Sequence, residues 1–327
     1  MAQVSIVSAV NQGLRQALED DPKVLLMGED IGKLGGVFRV TDGLQKDFGP
    51  DRVIDSPLAE SGIVGTAIGL ALYGFRPVIE IQFDGFVFPA FDQIVVQVSR
   101  MRYRSGGALH LPITIRMPYG GGIGSVEHHS ESPEAYFAAT PGLRVVTCSD
   151  SRDAYWMIQQ AIRSDDPVIF LEPKRRYWQK SELSTSTKLA DAMLMEQARV
   201  LRTGTDCTVI GYGPTVATCV AAAAQSEADG VSLEVIDLRS LSPIDMATLQ
   251  GSVRKTGHAV VVHEASASGG LGGEIGQRLS ESCFYELEAP VQRVTGWDTP
   301  YPPSRIEDDF LPDADRILDA VENALAF

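Results

Sequence analysis

Strand and helix patterns alternate from end to end, which predicts an α/β protein of two domains, each a mostly parallel sheet with helices on both faces. Three observations carry this. Short apolar runs such as Val24–Met27 and Val168–Glu172 read as buried strands. Amphipathic or Ala-rich stretches separate many of them. The alternation lapses between Pro173 and about Glu196, in a chain of 327 residues that is long enough for two ordinary domains. The organisation expected is therefore a first domain over 1–178, a linker over 179–198 and a second domain over 199–327.

In the first domain Ser5 is placed to cap a helix whose apolar positions are Val7, Val10, Leu14 and Leu18. Val24–Met27 follows as a strand leading into Gly28-Glu29-Asp30. A helix punctuated by Gly62, Gly65 and Gly69 begins near Glu60 and precedes a strand at Pro77–Phe83. An aromatic loop with Phe86 and Phe88 leads to a helix from Phe91 to Arg104, stopped by Gly106-Gly107. Strand Pro112–Met117 ends in Gly120-Gly121-Gly122. Ser132-Pro133-Glu134 has the form of a helix start, with a capping Ser and Pro at the first helical position. Strand Leu143–Cys148, helix Arg152–Arg163 and strand Val168–Glu172 complete the domain. After the polar run Ser181–Lys188, the second domain restarts with strand Cys207–Tyr212, helix Val216–Ala224 and strand Leu233–Asp237. Helix Asp245–Lys255, strand Ala259–His263, a helix from Gly272, strand Val291–Val294 and helix Asp315–Leu325 close it.

A formal net charge of -15 argues against a nucleic-acid surface, which rests on excess Lys and Arg, and equally against an anionic membrane as partner. No apolar run approaches the roughly 20 residues that span a bilayer. The first residues show neither a secretory signal nor an Arg-rich transit pattern, and Cys148, Cys207, Cys219 and Cys283 are scattered as buried thiols of a reducing compartment would be. A cytoplasmic location is the expectation.

Glu60 stands out locally. A carboxylate that closes a Pro-containing loop and opens a smooth, glycine-spaced helix needs a partner that rewards its burial, or else simply complements the helix dipole. Gly270-Leu271-Gly272-Gly273-Glu274-Ile275-Gly276 departs from the dinucleotide-binding spacing and reads as a tight turn with close helix packing. Lys174-Arg175-Arg176 reads as a solvated linker segment, and His110, His258 and His263 as structural.

Several segments together give a sharper reading. Leu58-Ala59-Glu60-Ser61-Gly62, Glu80-Ile81-Gln82-Phe83, Phe88-Pro89-Ala90-Phe91-Asp92-Gln93-Ile94, Arg102-Tyr103-Arg104-Ser105-Gly106-Gly107 and His129-Ser130-Glu131-Ser132-Pro133-Glu134-Ala135 occur in that order. Ile236-Asp237-Leu238-Arg239 and Ser268-Gly269-Gly270-Leu271-Gly272-Gly273-Glu274 follow in the second half. The chain so resembles the beta subunit of the decarboxylating component of 2-oxoacid dehydrogenase complexes, in the transketolase-like thiamine diphosphate superfamily. No Gly-Asp-Gly occurs in the sequence, the motif with which that superfamily holds magnesium and diphosphate. The resemblance thus implies a chain that supplies the pyrimidine end of thiamine diphosphate, while a separate alpha subunit holds the diphosphate and Mg2+ in an alpha-two beta-two tetramer. It implies oxidative decarboxylation of a 2-oxo acid and acyl transfer to lipoyl-lysine of an acyltransferase core docked on the second domain. Glu80-Gln82-Phe83 and Glu172-Pro173-Lys174-Arg175 look closer to the branched-chain types, with pyruvate and acetoin types as alternatives. A non-catalytic scaffold bridging the alpha chain and the core is the rival from another class.

By this resemblance Glu60 contacts the aminopyrimidine ring, sharing a proton with a ring nitrogen in a water-poor cleft and so activating the cofactor. Phe86 packs on the ring, and Leu58 and Gln82 line the pocket. His129, after the glycine-rich loop Gly120–Gly124, serves acyl transfer, with His128 as its ambiguous neighbour. A structural K+ is implied at positions matching Ile113, Ala161 and Asp166, and Ser164 stands there where the family usually has Asp.

Overall fold

The apolar runs read from the sequence become two stacks of strands whose parallel pairing buries them on both faces. The computed structural model describes residues 2–186 and 188–327; Thr187, within the polar run Ser181–Lys188, lies outside the described residues. In chain order the strands are β1 (Ala2–Ser5), β2 (Val24–Gly28), β3 (Val53–Asp55), β4 (Arg76–Glu80), β5 (Thr114–Tyr119), β6 (Arg144–Thr147) and β7 (Val168–Pro173). β8 (Lys180–Leu183), β9 (Arg199–Arg202), β10 (Cys207–Gly211), β11 (Leu233–Asp237), β12 (Ser240–Ser242), β13 (Ala259–Ser266) and β14 (Gln292–Gly296) follow.

The larger sheet has the order β12-β6-β7-β5-β4-β2-β3 and is parallel except for β12, which pairs antiparallel with β6. The second sheet runs β14-β13-β10-β11-β9, parallel except for β9. β2, β5 and β7 are buried along their whole length, as expected of central strands covered on both faces. β12 belongs by sequence to the second half yet extends the first sheet, so the two halves share a sheet edge. A third, two-stranded sheet joins β1 to β8 antiparallel. The span expected to be linker thus contains a strand that fastens the N-terminal segment. With only Leu183 buried, it offers no alternation for a sequence pattern to reveal.

Helix Ile6–Asp20 starts as expected, the Ser8 N–H donating to Ser5 Oγ at 3.2 Å. It packs on helix Ser151–Arg163 at a place where Gly13 is required, since a Cβ there would lie 2.5 Å from Ile158. Two helical expectations need correction. The span Phe91–Arg104 is not one helix: a π-helical stretch over Gln93–Val98 is followed by Met101–Arg104, and Ser99 Oγ donates back to the Val95 carbonyl at 2.7 Å in between. Ser132 does not cap the next helix, Glu134–Ala138, whose N-cap position is held by Pro133 itself. Helix Glu60–Leu72 buries Ile63, Val64, Ala67 and Ala71 in the core below it, while Gly62, Gly65 and Gly69 lie on its open side.

Candidate active site

Parallel strands end on one side of their sheet, and ligands of such sheets bind beyond those carboxyl ends. β2 ends at Gly28 and leads to Glu29 and Asp30. β4 ends at Glu80 and leads to Gln82, Phe83 and Phe86; β5 leads to the glycine loop and His129; β7 leads to Lys174. β3 leads to Leu58 and Glu60, so Leu58, Glu60, Gln82, Phe86 and His129 are collected on this side by topology alone, whereas Ile113, Ala161 and Asp166 precede β5 and β7 at the opposite end.

Beneath them lies a buried ionic network that sequence reasoning missed. Arg116 on β5 donates from Nη1 to Glu80 Oε2 at 2.6 Å, and from Nε and Nη2 to both oxygens of Glu172 at 2.7 and 2.9 Å. Tyr177 Oη donates to Glu172 Oε2 at 2.7 Å. The register explains the arrangement: Glu80 sits opposite Arg116, and Pro118 opposite Glu172. Burial alone would lower the Arg116 pKa, but the two carboxylates outweigh it and hold that pKa above its ordinary value. Burial raises the Glu80 carboxyl despite Arg116. Such a network confers geometry more than stability.

Above it, Lys174 Nζ meets Asp84 Oδ1 at 2.6 Å, both side chains fully buried. This corrects the reading of Lys174-Arg175-Arg176 as a solvated segment: Lys174 is interior, Arg175 pairs with Glu264 at 2.6 Å, and Arg176 Nε donates to the Pro214 carbonyl at 3.1 Å. The carboxyl partners come from distant strands and loops, which a one-dimensional charge run does not show. Burial pushes Asp84 up to about 7 and pulls Lys174 down.

Lys174 Nζ lies 5.8 Å from the centre of the Phe83 ring, and Phe83 in turn stands edge-on to His129 with ring centres 4.4 Å apart. Phe86 packs on His129 at 5.2 Å and on Phe83 at 5.9 Å. A Cβ on Gly85 would lie 2.2 Å from the His128 carbonyl oxygen, so the Phe86 turn and the histidine turn touch through backbone. Of the two histidines, His128 is exposed and His129 half-buried, with Nδ1 shielded and lacking a hydrogen-bond partner. Burial first, then the charges of His128 and Lys174, hold the His129 pKa below its ordinary value. The ring is therefore neutral near pH 7, with an unused nitrogen.

Glu60 is buried at the first turn of its helix, where the N-cap Ala59 supplies no side-chain cap. Glu29 is buried beside it, with Oε1 unpartnered. Burial, and next the charge of Glu60, raise the Glu29 carboxyl. Two neighbouring carboxyls with a free buried oxygen suit a ligand that offers a protonated ring nitrogen and an amino group. Gln82 is half-buried and its Nε2 donates to Asp30 Oδ2 at 3.3 Å. Leu58 is 81% exposed and lies open at the entrance to the same helix.

The residues matching a K+ site do fall together. The Ile113 carbonyl accepts from Val168 N–H at 2.9 Å, the Ala161 carbonyl from Ser164 N–H at 3.1 Å, and Ser164 Oγ donates to the Asp166 carbonyl at 2.8 Å. Each of these carbonyls keeps a second lone pair, and the Asp166 carboxylate contacts the guanidinium groups of both Arg102 and Arg144.

The comparisons with known proteins agree with this architecture. Residues 2–179 match the transketolase pyrimidine binding domain, and residues 196–317 the transketolase C-terminal domain. A solved split-gene transketolase, described as an inactive beta4 tetramer, superposes with a TM-score of 0.81 over 99% of both chains at 24% identity, a likeness of fold. The fold and the collected loops define a transketolase-like protein. Among curated relatives, a pyruvate dehydrogenase E1 component subunit beta of Leifsonia xyli subsp. xyli is 56% identical over 98% of this chain and 95% of its own. A 3-methyl-2-oxobutanoate dehydrogenase subunit beta of Mycobacterium tuberculosis is 50% identical over 98% and 92%. A Staphylococcus aureus pyruvate dehydrogenase E1 component subunit beta is 47% identical over the full length of both. This chain belongs to the family of 2-oxoacid dehydrogenase beta subunits, whose transketolase-like members depend on thiamine diphosphate. The family contains both pyruvate and branched-chain types, so membership does not select the branched-chain substrate expected from the sequence.

Proposed function

We propose that this chain is the beta subunit of a thiamine diphosphate-dependent 2-oxoacid dehydrogenase that acts with a separate alpha subunit and passes its acyl product to lipoyl-lysine of an acyltransferase core. The observation that carries this reading is Glu60, buried beside Glu29 at the carboxyl end of the parallel sheet, with Phe86 and His129 packed together on the adjoining loops. When bound, thiamine diphosphate supplies a centre that accepts the electron pair released as a 2-oxo acid loses carbon dioxide. The residues of this chain do the rest at its pyrimidine end. Glu60 holds a proton at the ring nitrogen, in a setting where low dielectric strengthens the interaction. Burial first, and then the charge of Glu60, raise the Glu29 carboxyl above its ordinary value. Phe86 and Gln82 orient the ring. His129, neutral and unpartnered at Nδ1, accepts and returns a proton while the acyl group moves to the lipoyl sulfur.

The alpha subunit covers the open side of helix Glu60–Leu72 and holds Mg2+ and the diphosphate. For substrate we favour a branched-chain 2-oxo acid, on the Glu80-Gln82-Phe83 and Glu172–Arg175 segments. Pyruvate is the second reading, favoured by the Leifsonia xyli relative. The test is to copurify the chain with its alpha partner and measure lipoyl acylation across a panel of 2-oxo acids. Turnover of 3-methyl-2-oxobutanoate above pyruvate supports the first reading, the reverse supports the second, and turnover of neither removes the function.

A further inference from the structure

Among the described residues His129 has no side-chain hydrogen bond to hold its ring: it is placed by Phe83, Phe86 and His128 and by its own backbone. What fixes that backbone is therefore a question about the loop that leads to it. Between Tyr119 at the end of β5 and the Glu127–His129 turn lie Gly120, Gly121, Gly122 and Gly124. Gly120, Gly122 and Gly124 have φ of +82°, +83° and +70°, a region that suits glycine, and a Cβ on Gly121 would lie 1.9 Å from Tyr301 Oη. A glycine loop of this kind would ordinarily be loose and would leave its N–H groups to water.

Here those N–H groups point at buried carboxylates from the second half of the chain. Glu307 Oε1 accepts from Gly122 N–H at 2.9 Å and from Tyr301 Oη at 2.5 Å, and its Oε2 accepts from Gly124 N–H at 3.0 Å. Tyr301 Oη also accepts from Gly122 N–H at 3.0 Å. Glu264, on β13, accepts from Gly121 N–H at 3.0 Å through Oε2 and faces Arg175 through Oε1. At the far end of the loop, Gly120 N–H donates to the Glu131 carbonyl at 2.8 Å and closes it on itself. Hydrogen bonds to an ionised acceptor are the strong ones, and losing a buried acceptor leaves several donors stranded together.

We infer that Glu307, steadied by Tyr301 and seconded by Glu264, is a positioning residue for His129: the second half of the chain sets where the histidine stands by gripping the glycine loop before it. The inference rests on the proposed role of His129 in acyl transfer. It adds that the second half takes part in that step, through carboxylates that touch neither substrate nor cofactor.

The experiment uses the assembled complex with the alpha subunit, carrying Glu307→Ala, Glu307→Gln or Tyr301→Phe. Deuterium exchange of the amides at 121–124 reads the grip directly, and it is expected to quicken in Glu307→Ala. Misplacing a reacting group by about 1 Å costs on the order of 100-fold, so kcat for lipoyl acylation should fall by about that factor in Glu307→Ala with KM for the 2-oxo acid unchanged. Glu307→Gln, which keeps one acceptor oxygen, should recover part of the loss. Tyr301→Phe should fall between wild type and Glu307→Ala, and it tests the inference if the alanine variant fails to fold. Unchanged exchange in Glu307→Ala would remove the grip, and faster exchange with undiminished acylation would reduce it to a structural tether. If the wild-type complex acylates lipoyl groups from none of the 2-oxo acids in the panel, the functional reading fails separately. Carbethoxylation of His129 in a His128→Ala background then decides the grip: a faster rate in Glu307→Ala supports it, and an equal rate overturns it.

Discussion

The two sides of the cleft are built on opposite terms. Around His129 the chain completes itself: Phe83 and Phe86 close on the imidazole, Lys174 and Asp84 pair beneath, and carboxylates of the second half hold the loop. Around Glu60 it does not. Leu58 and Tyr73 are 81% and 85% exposed at either end of helix Glu60–Leu72, and Gly62, Gly65 and Gly69 present a smooth open stripe between them. On the proposed reading the alpha subunit is laid against that surface. The contrast teaches that one wall of a cleft can be pre-organised within a single polypeptide while the other is left as a bare face, which on that reading the alpha subunit completes.

The contrast is broken most severely from beneath the histidine. Lys174→Met leaves the Asp84 carboxyl buried without its ammonium, and stability should fall by about 3–5 kcal/mol, read as a lowered denaturant midpoint. Lys174→Met with Asp84→Leu should recover most of it, because an apolar pair of similar volume replaces the ions. If the single variant is as stable as wild type, the pair does not organise this side of the cleft.

This pair also shows what the sequence could and could not reveal. Strand and helix order was largely legible because central parallel strands are apolar on both faces; the short strand β3, which leads to Glu60, was not, and it took the sheet order to bring Glu60, Gln82, Phe86 and His129 to one end. The interior fate of Lys174 was not legible either. Asp84 lies on another strand's loop, and a basic run reads as solvated until its acidic partners are brought to it in space. The same holds for Arg116 with Glu80 and Glu172, and for Glu307 beneath the glycine loop. β12 was equally hidden, since nothing in Ser240–Ser242 says which sheet it joins.

A smaller effect tests how firmly the two halves close behind the histidine. Glu134, fully buried, accepts from Tyr212 Oη at 2.9 Å, and burial pushes its carboxyl up to about 7. A raised carboxyl keeps its proton longer folded than unfolded, so stability from this group is present below its ordinary value near 4.5 and is lost as pH rises through about 7. The window amounts to about 3 kcal/mol. Glu134→Gln should flatten that part of the stability–pH curve between pH 5 and 7, measured by urea unfolding. An unaltered slope would mean that Glu134 ionises folded as it does unfolded.

On the open side the expected effect is smallest for the chain alone and of opposite sign for the assembly. A Cβ on Gly65 meets nothing within 4 Å. Gly65→Ala should therefore stabilise the isolated chain by about 0.5–1 kcal/mol through helix propensity. Because it roughens the face on which the alpha subunit is proposed to sit, it should weaken association, measured by sedimentation of the mixed subunits. Unchanged association would place the partner elsewhere.

The central claim is that Glu60 serves the pyrimidine end of thiamine diphosphate at the seam with the alpha subunit. The most direct measurement is the rate of cofactor-dependent 2-oxo acid decarboxylation by the reconstituted complex carrying Glu60→Gln, with cofactor binding measured alongside. The expected result is a loss of about 100-fold or more with the complex assembled and the cofactor still bound. Decarboxylation at the wild-type rate would contradict it.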